Sequence, residues 1–457
     1  MKKSPRYLTL CEAADAIARG ELTSERLVAE CIEAAEALNP RLNAFVALEA
    51  EEALAVARDL DRERAAGRLR GPLHGVPLAH KDMYYRAGKV SGCGSKIREN
   101  FVPNVTSSLV ARLESAGAVT IGRLHMSEFA MGPTGHNAHL GRCRNPWNET
   151  RITGGSSSGS GAAVAARLVF GSLGSDTGGS VRLPAAMCGV VGLKPTQHLL
   201  ATDGMMGLSE SLDCPGPLAR SSRDIARLME VMTGRPYESA LDGSVAGLVL
   251  GIPTSFYWEN VAEPVEERLA EARKVLERLG VRFVDVDIPD HTDLADLADA
   301  VWTPEAAAIH LPWLRTRPGD YGDQVRARLT QGLAVSATAY LRARQLRTLM
   351  LEAMLSGPLS NCDALFVPAM RITVPTNAET DVAAGTSMRE VLANIAALTR
   401  PLSYLGLPGL VTPAGFDPDG LPIGLQLIGR PLEEPTLLRI ADAFEQETQF
   451  IRQAPPI

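Results

Sequence analysis

The stretch from Thr153 to Pro184 limits what this chain can fold into more than any other. It reads TGGSSSGSG, then the apolar run AAVAARLVF, then GSLGSDTGGSVRLP. A Gly/Ser string alone would be a flexible linker. Here nine near-continuous apolar residues follow, with the look of one buried helix, and a second Gly-rich turn opens into Val181, Leu183 and Ala185–Ala186. Glycines at this density imply backbone brought close to a ligand, with N–H groups left to point at it.

The remainder reads as strands alternating with helices. Helices are expected over residues 8–70, one ending at Asn39-Pro40 and another running from Ala50 to Ala66. The run from Leu73 to Asp82 reads as a short buried strand that ends in charge. A helix over 106–116 precedes a strand at Ala118–Ile121, and a long Gly/Pro/Asn/His loop then runs from Gly122 to Arg151. Further strands are expected at 188–195, 248–252, 281–288, 364–367, 410–413 and 424–428. An amphipathic helix lies between Pro264 and Gly280, and 300–357 is mostly helical. This alternation implies a single α/β domain with helices on both faces of the sheet. Its parts would be an N-terminal helical layer at 1–70, a core at 71–235, a variable insertion at 236–360 and a return to the sheet at 361–457.

Composition removes several classes. The 457 residues are 45% hydrophobic and 22% charged, ample for a core. A net charge of −7 without a long basic run argues against nucleic acid or an anionic membrane as the main partner. The N-terminus lacks the apolar segment of a signal peptide, and no apolar run reaches 18 residues. Seven scattered cysteines without a CxxC pair suit a reducing cytoplasm and no zinc cluster.

Three chemical templates compete for the Gly/Ser stretch. Gly155-Ser156-Ser157-Ser158-Gly159 matches the string of a nucleophile elbow, but a poor strand precedes it and no histidine follows His310. A phosphate loop fails because no Lys follows either Gly cluster. A metal site has little support, with no H-E-x-x-H and only His136 and His139 sharing a loop. The third template is a serine nucleophile activated by lysine. Lys81 ends an apolar strand, where burial would push its pKa down toward a useful base. Ser180 closes the turn Thr177-Gly178-Gly179-Ser180, whose consecutive N–H groups suit an oxyanion hole. Ser156 lies in the other turn, placed to relay a proton.

Residues 70–221 resemble the amidase signature family. The matching strings are HGVPLAHKD at 74–82, GRLHMSEFAMG at 122–132, NPW at 145–147, GGSSSGSGAAVAA at 154–166, GSDTGGSVRLPA at 174–185, CGVVGLKPT at 188–196 and LDCPGPLARS at 212–221. GLPGLVTPAG and GLPIGLQLIGRP fit near the C-terminus. The resemblance implies a mixed central sheet covered by helices and a Ser–cis-Ser–Lys triad. Ser180 matches the acylated nucleophile, Ser156 the relay serine on a cis peptide after Gly155, and Lys81 the base. Thr177, Gly178, Gly179 and Ser180 match the oxyanion-hole amides. Asp176, Arg182 and Ser157 match supporting positions, while Ala130, Met131 and Gly132 match a segment lining the acyl side of the pocket.

The chain also departs from that pattern. Ser158 stands where glycine is usual and His125 where asparagine is common. Leu183 stands where the glutaminase subunits of tRNA-dependent amidotransferases usually have glutamine. The expectation is therefore a cytoplasmic, cofactor-independent serine amidase, with no metal. It would act on a small to medium, mostly uncharged amide, anilide, carbamate or ester. Met131, Met205, Met206 and Leu208 are the candidates for an apolar pocket. Its partners would be a small-molecule amide, with a homodimer allowed, and no nucleic acid and no membrane. The alternative is the glutamine-amidase subunit of a tRNA-dependent amidotransferase.

Overall fold

The computed structural model describes residues 4–381, 385 and 387–457. Its strands are β1 (Phe45–Leu48), β2 (Pro77–Lys81), β3 (Val119–Leu124), β4 (Gly171–Ser175), β5 (Val191–Lys194), β6 (Pro215–Ala219), β7 (Val249–Pro253), β8 (Arg282–Val286), β9 (Ala364–Pro368), β10 (Gly409–Phe416) and β11 (Pro422–Gly429). The helices are α1 (Leu10–Ala18), α2 (Ser24–Leu42), α3 (Ala50–Ala65), α4 (Ser108–Ser115), α5 (Ser158–Ala165), α6 (Arg182–Cys188), α7 (Ser222–Thr233), α8 (Glu263–Arg278), α9 (Leu294–Thr316), α10 (Asp323–Gly332), α11 (Ala337–Ser356), α12 (Met388–Ile395), α13 (Arg400–Leu405) and α14 (Glu434–Thr448). All eleven described strands join one mixed sheet in the order β1-β3-β2-β4-β6-β5-β10-β11-β9-β7-β8. The expected α/β class, with a mixed central sheet, is the observed one.

Two neighbouring parallel strands bring the candidate residues together. β2 and β4 pair with Leu78 opposite Gly171, so Lys81 and Ser175 finish their strands at the same sheet edge. The carboxyl ends of parallel strands are where α/β sheets place ligands. Two helices start at this edge: α5 just after Ser156 and α6 just after Ser180.

Several elements differ from the sequence reading for local reasons; β1, inside the stretch expected to be helical, pairs antiparallel with β3. The helix expected in the apolar run starts earlier, inside the Ser/Gly cluster, because α5 must lie against its neighbours with almost no side chain between. A methyl group at Gly159 would run into the Ala44 carbonyl, and one at Gly161 would come 2.9 Å from Pro184. Part of the glycine density therefore serves helix packing rather than ligand approach. The turn-like GSLGS is β4, buried along its whole length and paired antiparallel to β6. β6 itself, PGPLA, reads as no strand at all. Its prolines are tolerated because the β5 ladder covers only Leu218 and Ala219.

α2 runs past Pro40 to Leu42 and stops at Asn43, whose left-handed φ of 51° lets its N–H return to the Asn39 carbonyl at 2.8 Å. Among the described residues no helix is long and apolar enough to cross a membrane.

Candidate active site

Lys81 is 1% exposed at the end of β2. Its Nζ lies 2.7 Å from Ser156 Oγ and 2.8 Å from Ser175 Oγ. No carboxylate is among its described hydrogen-bond partners. Burial lowers its pKa from 10.5 to about 7, against the opposing fields of Asp213 and Asp176. An amine in that range is available as a base near neutrality.

The turn before α5 holds the first hydroxyl. The Gly155–Ser156 peptide is cis. Ser156 is fully buried, and its carbonyl accepts from Ser127 N–H at 3.1 Å. Ser157 ties this turn to the second one. Its N–H donates to the Ser180 carbonyl at 3.2 Å, and its hydroxyl bonds both the carbonyl and the N–H of Ser175 at 3.3 Å.

Asp176 and Arg182 build the second turn. Both are fully buried, and Arg182 Nη2 lies 3.0 Å from Asp176 Oδ1. Burial disfavours the charged carboxylate, yet the Arg182 guanidinium outweighs it and holds the Asp176 pKa at about 2. Asp176 accepts from the N–H groups of Gly179, at 2.7 Å, and of Val181 and Arg182. Arg182 also donates to Gln426, to the Thr399 carbonyl and to Ser403. Breaking a buried pair by removing one partner costs about 3–5 kcal/mol. Arg182→Leu is therefore expected to lower unfolding stability by about that much, read from urea denaturation, whereas an exposed pair such as Arg273–Glu277 should move it by under about 1 kcal/mol.

One expected oxyanion donor is spent on this brace. The Gly179 N–H is taken by Asp176, while the N–H groups of Thr177, Gly178 and Ser180 have no partner among the described residues. Ser180 is half-buried and faces a pocket, and its hydroxyl makes no hydrogen bond to Ser156 or to any other described residue. The link between the two serines runs instead through the backbone bond from Ser157 to Ser180.

A small pocket opens in front of Ser180. Ala130, Met131 and Gly132 line it, as do Thr177, Gly178, Leu183 and Leu208. Met205 and Met206 do not. Met205 bridges to Tyr84, and the Met206 sulfur receives Arg98 Nη1 at 3.5 Å.

The far wall was not legible in the sequence: Trp302 from α9, Arg328 from α10, and Ala396 and Arg400 at and just before α13. Arg328 stacks on Trp302 at 4.6 Å, and its Nη1 is buried without a partner. Burial, and then repulsion from Arg400, bring its pKa down to about 10. Arg400 is partly balanced by Asp299 at 3.3 Å. The pocket is cationic, not the uncharged lining expected.

His136 and His139 do not converge on a metal. His139 Nε2 pairs with Glu128 at 2.9 Å, and His136 Nε2 meets Thr380 at 3.2 Å. The two departures at His125 and Ser158 touch each other, with Nδ1 2.9 Å from Ser158 Oγ. Burial lowers the His125 pKa to about 4, so the ring is neutral.

Residues 26–438 match the family model described as Amidase. The chain belongs to the amidase family. Members of this family act on carbon–nitrogen bonds, and the resemblance over 70–221 extends to nearly the whole chain. This amidase-family chain is 37% identical over 485 residues to a glutamyl-tRNA(Gln) amidotransferase subunit of Geobacter metallireducens, covering 98% of each chain. Among solved structures, it is similar to one from a vestigial protein complex tied to the evolutionary origins of an s-triazine catabolic enzyme. That match has a TM-score of 0.89 and 34% identity, covering 96% of this chain and 98% of the other. It is also similar to the native peptide amidase of Stenotrophomonas maltophilia, with a TM-score of 0.84, 30% identity and 98% of each chain covered.

These names correct one expectation. A small molecule as sole partner, with nucleic acid excluded, does not stand beside a full-length relative named as a subunit of a tRNA amidotransferase. Net charge misled here because it averages over the whole surface and says nothing of a local contact.

Proposed function

We propose that the chain cleaves the C–N bond of a small amide bearing a carboxylate, through an acyl-enzyme on Ser180. The observation that carries the substrate class is Arg328. Arg328 lines the same pocket as Ser180, its Nη1 buried without a partner, with Arg400 beside it. Two guanidinium groups at close quarters repel each other, and a bound carboxylate relieves that repulsion while accepting paired N–H bonds.

Neutral Lys81 takes the Ser156 hydroxyl proton as Ser156 takes that of Ser180, and Ser180 Oγ attacks the amide carbon. The Thr177, Gly178 and Ser180 N–H groups hold the oxyanion. The proton returns through Ser156 to the departing nitrogen, and water then attacks the ester by the reverse route.

Glutamine is such an amide, and the name of the Geobacter relative favours it, with a tRNA amidotransferase as the setting. A second reading follows from the pocket lining, which includes no Asp or Glu among the described residues and has Leu183 and Ala396 on its wall. The lining offers an α-ammonium no carboxylate of its own, and Asp299 behind it is already engaged by Arg400, so a carboxylated amide without an ammonium fits better.

Three substrates separate the cases: glutamine, glutaramate (the same skeleton without its amino group) and uncharged butyramide. The proposal expects one of the first two to exceed butyramide in kcat/KM by about 100-fold, the worth of a charge-assisted bidentate contact. Arg328→Gln is expected to erase that advantage while leaving butyramide turnover unchanged. Equal kcat/KM for all three in the unaltered chain would remove the carboxylate from the reading. Co-purification of another protein chain with glutamine turnover selects the amidotransferase setting.

A further inference from the structure

A general base must offer its lone pair to the hydroxyl that it deprotonates, and Lys81 has two hydroxyls within reach. One of them has a second neighbour. Ser175 Oγ lies 3.1 Å from the Met83 sulfur. A thioether carries no hydrogen and can only accept. With the single Ser175 hydroxyl hydrogen donated to Met83, the Ser175 oxygen meets Lys81 as an acceptor. A neutral amine has two N–H bonds and one lone pair. With one N–H turned to Ser175, the lone pair is left for Ser156.

We infer that Met83 and Ser175 are positioning residues that aim the Lys81 lone pair at Ser156 and so set the direction of the proton relay. The inference rests on Lys81 acting as the base. The backbone supports the arrangement. Met83 N–H returns to the Lys81 carbonyl at 2.7 Å, a tight turn that swings the methionine back beside the strand end. Met83 is 1% exposed, so no water competes for the serine hydrogen from that side. Ser175 is fixed in turn by its backbone bonds with Ser157 Oγ. Without the sulfur, the Ser175 hydroxyl turns to donate to Lys81 and occupies the lone pair that Ser156 needs. The titratable groups acting on Lys81 are Asp176, Asp213 and Cys93; Arg182 holds Asp176, and Thr177 holds Asp213.

The test is a double-mutant cycle on kcat, with Met83→Leu, Ser175→Ala and the pair together. Leucine keeps the volume and removes the acceptor. Each single change is expected to lower kcat on the order of 10- to 100-fold, with KM within about two-fold. The pair should match Ser175→Ala alone, because without the serine hydroxyl nothing remains to misdirect. A packing role for Met83 predicts losses that multiply, and that result, or wild-type kcat in Met83→Leu, overturns the inference.

The pH profile of Met83→Leu gives an independent readout should Ser175→Ala not fold. A hydroxyl donating to the amine favours the neutral form, so the acid limb shifts to lower pH while the plateau falls. An unmoved limb contradicts the inference. Lys81→Met separates the two levels. If it stays active, the base assignment fails. If it is inactive while Met83→Leu is normal, only the positioning fails.

Discussion

Ser180→Ala is expected to abolish amide turnover, with kcat lower by at least about 10⁴-fold, because the oxygen that takes the acyl group is gone. The loss should come without a change in stability. The Ser180 hydroxyl makes no hydrogen bond to a described residue and opens onto the pocket, so its removal orphans nothing. Initial rates on glutamine and glutaramate beside the thermal midpoint check both halves. Intact-protein mass spectrometry adds a direct view, since a slow ester substrate should leave an acyl adduct on the wild type and none on the variant. Retained turnover, or an adduct elsewhere, would detach Ser180 from the reaction.

The second large effect is expected at Lys81. Methionine there keeps the length of the side chain and removes the amine, and acylation should fall about 10³- to 10⁴-fold, the range of a lost general base. Unlike most buried charges, Lys81 has no carboxylate among its described hydrogen-bond partners, so the change breaks no ion pair. The pH dependence follows from burial. A base with a pKa of about 7 is protonated and idle below neutrality and free above it, so the rate rises with pH through that value and then levels. The variant should lose this limb altogether.

Much of the candidate site's geometry could be read in the sequence because its residues lie in short segments. Lys81 at the end of an apolar run, and hydroxyls in two Gly/Ser turns, are local patterns, and the parallel pairing of β2 with β4 brings Lys81 beside Ser175. The cationic wall was not readable. Arg328 and Arg400 look like ordinary surface arginines in a helical and a Pro-containing segment, and only the packing of α9, α10 and α13 turns them into one pocket. No local periodicity records which helices will meet.

Elsewhere, context overrode local preference. GSLGS became a strand because it pairs with β2 and β6, and its two glycines lie where neighbouring side chains leave little room for a Cβ. At Gly174 a methyl group would come 2.9 Å from Leu218 and from Ser157. PGPLA became a strand because its prolines lie where the ladder to β5 has already ended. The turn expected to hold an oxyanion offers fewer free amides than its sequence suggests, for a similar reason. Four consecutive amides looked equivalent in sequence, and the buried Asp176 claims one of them.

His125 and Ser158, apparently separate departures from the resemblance, proved to be one contact. A histidine in place of a smaller amide side chain meets a hydroxyl where a bare glycine would offer nothing. That pairing could have been suspected from their joint departure and was visible only in the fold.

The whole reading depends on an amine that is unprotonated inside the protein and coupled to the acylated oxygen through one intervening hydroxyl. The most direct measurement is the single-turnover acylation rate of the wild type and of Lys81→Met, followed from acid to alkaline pH. The predicted result is a tenfold rise per pH unit below about 7 and a plateau above it in the wild type, with neither rise nor appreciable rate in the variant. A wild-type rate independent of pH across neutrality, or the same rise persisting without the amine, would contradict the account.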